Sequence, residues 1–251
     1  MESVIIRVQK NYKLLLIEEL AEAGNKKAML EMARYYFDQK NEKLSTEKSE
    51  LILRYLLELS EDTAISEDDK KFAMLLLGIM HYVGRGVEQS YKEAVKWYEK
   101  AADKLDLYAL CNLGYCYYYG RDVEIDYQKA YSCFSQSAFL RNPNAMYKLG
   151  DIFFNGYHAV EDKEAAFFWY TEAYNHTDNN SYERPNIEYR LGKCFLYGDG
   201  TGQNLYTALN LLRSAELGFL RLIEDGDDFA ELTLRDVRVK IDEVRALIYT
   251  H

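Results

Sequence analysis

Four similar segments recur along the chain, and this repetition constrains the fold more than any other feature. Each segment has a Leu-Gly pair and a second glycine six residues after the first. The first glycines, Gly78, Gly114 and Gly150, recur every 36 residues, and Gly192 follows 42 residues later. Self-similarity with a period of about 20–50 residues is typical of stacked repeat proteins. The sequence therefore predicts an array of similar units.

Two stretches in each unit have the spacing of amphipathic helices. In the first, small or apolar residues at positions −5, −1, 0 and +3 relative to the glycine share one face of a helix. The glycine lets the partner helix approach closely, at a helix-propensity cost of roughly 1 kcal/mol. The second stretch alternates small and large residues, as in Ala94, Trp97-Tyr98 and Ala101. We predict an all-α fold of stacked helix pairs, with the four glycines inside helices and facing the partner helix.

The repeats assign the whole chain, 1–251, to a single repeat domain. The predicted parts are a truncated N-terminal unit (1–24), a degenerate repeat (25–60), an acidic connector (61–70), four repeats (71–106, 107–142, 143–180 and 181–220) and a C-terminal capping helix (227–250). The connector is expected to be the segment most sensitive to proteolysis. A terminal helix of this kind shields the last repeat of a stacked array.

The charge balance restricts the class of partner. A net charge of −10 disfavours nucleic acid and anionic membranes, because both require a concentrated basic surface. It favours another protein of neutral to basic charge, with a homo-oligomer left open. The longest apolar run, nine residues at 72–80, is too short to span a bilayer, and no continuous signal-peptide core stands near the N-terminus. We therefore expect a soluble, cytoplasmic protein.

No motif in the sequence predicts catalysis. The glycine-rich run at 198–203 lacks the Gly-Lys-Ser/Thr of a phosphate-binding loop and occupies the same inter-helix position as 84–87. The acidic run at 224–228 lacks the spacing of a calcium loop. The four histidines form no HExxH or Cys/His set, and the four cysteines form no CxxC pair. We predict no catalytic residue, no metal site and no cofactor, and we expect a protein that is not an enzyme.

The positions shared by the units form the pattern A-x-x-x-L-G-x-x-Y-x-x-G-x-G-V-x-x-D-x-x-K-A-x-x-W-Y-x-x-A-A. The first clear unit matches it at Ala73, Leu77, Gly78, Gly84, Gly86, Val87, Ala94, Trp97, Tyr98, Ala101 and Ala102. The second matches it at Ala109, Leu113, Gly114, Tyr117, Gly120, Val123, Asp126, Lys129, Ala130, Phe134 and Ala138. This pattern resembles the Sel-one-like repeat family, which is related to tetratricopeptide repeats.

The resemblance is strong over about 73–218 and has departures. Asp122 and His158 replace the second loop glycine, and Leu211-Leu212 replace the Trp-Tyr pair. It implies an α/α right-handed superhelical solenoid of stacked helix pairs. It also implies a role as a scaffold or adaptor for other proteins.

The first helices carry a second face that is rich in aromatic residues. Positions −6, −3, +1, +4 and +5 relative to the glycine lie almost opposite the packing face. A merely solvated face would be polar, whereas tyrosine suits an interface because it has a large apolar body and a polar tip. We predict that this face lines a concave groove whose partner-binding residues are Phe72, Tyr82, Tyr108, Tyr115, Tyr118, Tyr119, Tyr147, Asp151, Phe154, Tyr189, Lys193 and Tyr197. The alternative is that these rings pack laterally between adjacent first helices, or lie beneath a terminal helix or a second copy of the chain.

Three functions are compatible with these features. The leading hypothesis is a non-catalytic adaptor that binds a peptide or helix of a partner protein in the aromatic groove. A regulatory or immunity-type protein that occludes a partner enzyme or toxin is the first alternative. A hydrolase of cell-wall-type substrates, an activity assigned to some members of the resembling family, is the second. That activity requires export, and no export signal is visible.

Overall fold

Helices form the regular structure of this chain. The computed structural model describes residues 13–38, 45–158, 160–227 and 229–250, and within them every regular element is an α-helix. Residues 13–22 form α1. The helices that follow are α2 (Lys26–Asp38), α3 (Thr46–Glu61), α4 (Glu67–Val83), α5 (Tyr91–Ala102), α6 (Leu107–Tyr119), α7 (Tyr127–Phe139), α8 (Pro143–Asn155), α9 (Lys163–Asn175), α10 (Arg184–Tyr197), α11 (Leu205–Glu224) and α12 (Ala230–Tyr249). The predicted all-α fold class of helix pairs is confirmed.

The start of each second helix in the four repeats is set by a side-chain cap. Ser90, Asp126, Asp162 and Asn204 each stand twelve residues after the helix glycine of their repeat. Their side chains accept a hydrogen bond from the backbone N–H three residues later, at 3.2, 2.9, 2.9 and 3.0 Å. Such a cap satisfies one of the N–H groups that a helix leaves unpaired at its first turn.

The end of each first helix is set by glycine. Gly84, Gly120, Gly156 and Gly198 have φ of +69°, +68°, +65° and +77°. This left-handed conformation is strained for residues with a Cβ atom, and it turns the chain out of the helix. Starts and ends are therefore both encoded locally, once in every repeat.

The glycines inside the first helices allow close contact with the second helices. A Cβ atom on Gly78 would lie 2.4 Å from the Tyr98 ring of α5, and one on Gly150 would lie 2.4 Å from the Tyr170 ring of α9. On Gly192 it would lie 2.8 Å from the Leu212 side chain of α11. The prediction that these glycines face the partner helix is confirmed at these three positions. Gly114 is buried inside α6.

The described residues form two compact units, the first ending at Ile125 and the second beginning at Asp126. This division falls in the loop between α6 and α7, whereas the sequence predicts one domain over 1–251. In the first unit, α2 packs on α3, α3 on α4, α4 on α5, and α5 on α6. Its core includes Tyr36, Leu56 and Leu77.

The second unit follows the same packing scheme. Helix α7 packs on α8, α8 on α9, α9 on α10, α10 on α11, and α11 on α12. Leu196, Leu212 and Phe219 form a core with Val237 and Ile241 of α12. The predicted C-terminal capping helix (227–250) thus corresponds to α12, whose buried side contacts the last repeat.

The predicted connector is partly helical. The connector predicted at 61–70 is limited to residues 62–66, because α3 extends to Glu61 and Ser66 caps α4 from Glu67 onward. The three acidic residues of that first turn favour the positive end of the helix. Within the degenerate repeat predicted at 25–60, Ser45 caps α3, which begins at Thr46. Residues 1–12 of the predicted unit 1–24, and residues 39–44, lie outside the described residues.

Candidate functional site

Four tyrosines share one face of α6 and form what we call the tyrosine face: Tyr108, Tyr115, Tyr118 and Tyr119. Tyr108 is 59% exposed and Tyr119 is 47% exposed, whereas Tyr115 and Tyr118 are partly buried. The rings of Tyr115 and Tyr119 stack with centroids 6.0 Å apart, and Tyr118 meets Tyr119 edge-on at 4.8 Å. The structure therefore places the four predicted residues of α6 on one helix face, with Tyr108 and Tyr119 exposed.

The predicted residues of α4 have contacts inside the first unit. The guanidinium of Arg34 in α2 lies 4.7 Å from the ring centroid of Phe72. The ring of Tyr82 packs edge-on against Tyr91 at 5.0 Å, and burial raises the pKa of its hydroxyl. The Phe72 contact joins two first helices, as the lateral-packing alternative expects, whereas Tyr82 packs on the second helix of its own repeat.

In the second unit, the structure corrects the role predicted for Tyr147 and Asp151. Each is only 7% exposed, so neither side chain lines an open groove. The Asp151 carboxylate accepts two hydrogen bonds from Arg190 of α10, at 2.5 and 2.7 Å, and one from Lys148 at 3.2 Å. The Tyr170 hydroxyl of α9 donates a further hydrogen bond to it at 3.0 Å.

This buried cluster is stabilised by charge. Burial alone would raise the pKa of Asp151, but the charges of Arg190 and Lys148 outweigh it and hold that pKa below its ordinary range. The Arg190 guanidinium also lies 4.7 Å from the ring centroid of Tyr147, in cation–π geometry. The cluster therefore joins α8, α9 and α10, and a structural role accounts for its contacts.

Helix α12 lies against the predicted face of α10. The Tyr189 hydroxyl donates to Asp236, and the Tyr197 hydroxyl donates to Glu243 at 3.0 Å. The Lys240 amine lies 5.4 Å from the Tyr197 ring centroid. These contacts match the alternative in which a terminal helix covers part of the face.

Lys193 and Phe154 lie next to this contact. The Lys193 amine is 4.9 Å from the Tyr189 ring centroid and 5.9 Å from that of Phe154. The Lys163 amine lies 3.3 Å from the Phe154 ring centroid. The Phe154 ring is thus flanked by two lysines, of which Lys163 is paired with Glu161 at 3.2 Å.

Sequence reasoning did not single out Arg190 or Lys148, which organise the buried cluster. Both stand two residues before the helix glycine of their repeat, and the same position holds Leu76 and Asn112 in the earlier repeats. A change from uncharged to charged residues at one repeat position is the signal that could have found them.

The glycine-rich loop at 198–203 packs on α9. A Cβ atom on Gly200, whose φ is +70°, would lie 1.9 Å from the carbonyl oxygen of Lys163. The glycine is needed for this approach, which gives the loop a packing role, as expected from its inter-helix position. Cys111, Cys116, Cys133 and Cys194 are buried and form no disulfide within the described residues, and burial raises the pKa of Cys194 to about 12.

Neither a metal centre nor a membrane span emerges from the described ranges. There, no group of three or more His, Cys, Asp or Glu side chains is placed to hold a metal ion. Among the same residues, no helix combines the length and apolar character needed to cross a membrane.

Comparison with known proteins identifies the repeat. The Sel1 repeat model matches residues 71–104, 107–138, 143–178 and 188–217, which is more than half of the chain. No curated protein matches the sequence. A solved Sel1 repeat protein from Oxalobacter formigenes is similar with a TM-score of 0.65 and 22% identity, over 90% of this chain and 59% of that one.

A second solved structure shows the same fold. It is a protective antigen present in uropathogenic Escherichia coli strains, which displays an SLR fold. The TM-score is 0.56 and the identity 24%, over 88% of this chain and 50% of that one. The present chain thus spans between half and three fifths of the length of these two proteins. Taken together, the four matched repeats and this fold show that the chain belongs to the Sel1 repeat family, whose members generally serve as non-catalytic scaffolds for protein interactions.

Proposed function

We propose that the protein is a non-catalytic adaptor that binds a peptide or helix of another protein at the tyrosine face of α6. The observation that carries this proposal is the exposure of Tyr108 and Tyr119 next to partly buried tyrosines of the same helix face. Exposed aromatic clusters on soluble proteins mark interaction sites more often than single exposed rings do.

The chemistry of tyrosine supports this role. A tyrosine side chain offers a large apolar ring and a hydroxyl, and tyrosine is enriched among the residues that dominate binding free energy. The ring contacts of Tyr119 with Tyr115 and Tyr118 hold these side chains in place before a partner binds. Little conformational entropy would then be lost on binding.

The net charge of the chain and its cysteines support a class of partner and a compartment. The partner is expected to be neutral to basic overall, since the chain carries a net charge of −10. A reducing compartment such as the cytoplasm suits four buried cysteines that form no disulfide within the described residues. The strongest buried charge cluster, centred on Asp151, is engaged in holding helices together.

The test uses peptides selected from a random display library against the full chain. Tyr108→Ala and Tyr119→Ala should each weaken binding of the selected peptides roughly thirtyfold, or about 2 kcal/mol, because each removes an exposed ring of the contact surface. Dissociation constants measured by fluorescence anisotropy give the comparison, and circular dichroism checks that both variants stay folded.

A matched control is Tyr206→Ala, which removes a 71% exposed tyrosine from α11. It should leave the dissociation constants unchanged. Equal affinities for wild type, Tyr108→Ala and Tyr119→Ala would show that the tyrosine face is not the binding surface.

A further inference from the structure

Lys193 is a partly buried cation that forms no ion pair within the part of the chain that the structure describes. Its amine lies over the rings of Tyr189 and Phe154. Among the described residues, none accepts a hydrogen bond from this amine or forms an ion pair with it. Most basic side chains near it are paired, as Arg190 is with Asp151 and Lys240 is with Glu243.

The carboxylates in the neighbourhood are already engaged. Asp151 accepts hydrogen bonds from Arg190, Lys148 and Tyr170, and Asp236 of α12 accepts one from Tyr189. Both lie close enough to favour the charged form of Lys193 without contacting its amine. Each of these carboxylates therefore has a hydrogen-bond partner other than Lys193.

The surroundings of Lys193 disfavour its charge. Burial lowers the pKa of its amine, and the positive charges of Arg190 and Lys240 lower it further. A carboxylate at the amine would reverse this effect, because an opposite charge within hydrogen-bond distance favours the ammonium form.

We propose that Lys193 binds an acidic side chain, Asp or Glu, of a partner segment, with the rings of Tyr189 and Phe154 contacting the aliphatic part of that side chain. This inference rests on the proposed adaptor function and concerns a contact of the second unit by itself. The carboxylate would accept a charge-assisted hydrogen bond from the Lys193 amine. A partner that is neutral to basic overall places one acidic residue here.

The experiment selects one random peptide library in parallel against the full chain and against Lys193→Glu. Wild type should enrich peptides with Asp or Glu at one position, and Lys193→Glu should enrich Lys or Arg at that position. A Lys193→Met variant keeps the aliphatic length without the charge, so it should bind the acidic peptides at least tenfold more weakly while keeping its melting temperature. Lys100→Met is the control, because the Lys100 amine also lies over a ring, that of Trp97 at 4.1 Å, but in the first unit.

The selected peptides are then resynthesised with an amidated C-terminus. Retained affinity is expected, since only side-chain carboxylates remain. Loss of affinity on amidation would assign the contact to a chain terminus and overturn the side-chain proposal. If every selected peptide binds Lys193→Met as tightly as wild type, this inference is overturned. Peptides that lose affinity with Tyr119→Ala would then leave the adaptor function standing. A library that yields no binder contradicts both.

Discussion

At the scale of single residues, the glycines inside the first helices occupy a conformation that glycine intrinsically disfavours. Glycine is about 1 kcal/mol less favourable than alanine inside a helix. Gly150 nevertheless lies in α8, because a Cβ atom there would lie 2.4 Å from the ring of Tyr170. The Tyr170 hydroxyl is held by Asp151, so the ring has little freedom to move away.

We therefore expect Gly150→Ala to destabilise the protein by about 1–3 kcal/mol, the usual range for overpacking, although helix propensity alone would stabilise it. Urea unfolding followed by circular dichroism gives the free energy of unfolding. Gly202→Ala is the control, since nothing lies within 4 Å of a Cβ at Gly202. An increase in stability for Gly150→Ala would contradict the close contact.

The Asp151 cluster predicts a dependence on pH. Because the folded-state pKa of Asp151 lies below its ordinary value of about 3.9, its stabilising contribution is present above about pH 4 and is lost as pH falls further. At pH 7, Asp151→Asn should destabilise by about 3–5 kcal/mol, since it leaves the charges of Arg190 and Lys148 unpaired in a buried site.

The difference between wild type and Asp151→Asn should shrink as pH falls below about 4, because the carboxylate of the unfolded wild-type chain is then protonated while the folded one stays ionised until its lower pKa is reached. The midpoints of urea unfolding of both proteins, measured at several pH values, give this difference. Asp242→Asn, at a side chain that is 78% exposed, should change the midpoint little at any pH. A constant difference between pH 7 and pH 2 would mean that the charge of Asp151 contributes nothing.

At the scale of elements, α12 completes the core of the second unit. Ile241 is 3% exposed among core residues of α10 and α11, while Val239 of the same helix is 59% exposed. The hydroxyls of Tyr189 and Tyr197 donate hydrogen bonds to the α12 side chains of Asp236 and Glu243. The C-terminal helix thus covers apolar surface and also restrains predicted binding residues.

Ile241→Ala should therefore cost about 2–5 kcal/mol, because it removes buried methyl groups and leaves a cavity. Val239→Ala removes a similar aliphatic side chain from the exposed side and should change stability by less than about 0.5 kcal/mol. Thermal and urea unfolding measure both. Equal effects of the two substitutions would show that α12 is not packed as described.

At the scale of the whole molecule, local features were predictable and contacts between repeats were not. The helix glycines and the left-handed glycines predicted the helix pairs, because both act within one repeat. The pair of Asp151 with Arg190 joins residues 39 positions apart, and it depends on how α8 and α10 lie side by side. The sequence therefore predicted an open groove at Asp151, where the structure has a buried ion pair.

The caps of the second helices have a consequence for how a chain of this kind can gain repeats in evolution. Each repeat contains both the residue that starts its second helix, such as Asp126 or Asp162, and the glycine that ends its first. A duplicated 36-residue segment would carry the residues that start and end its own helices, whatever its neighbours are. Gene duplication can then lengthen a protein of this kind by whole repeats without new boundary signals having to evolve.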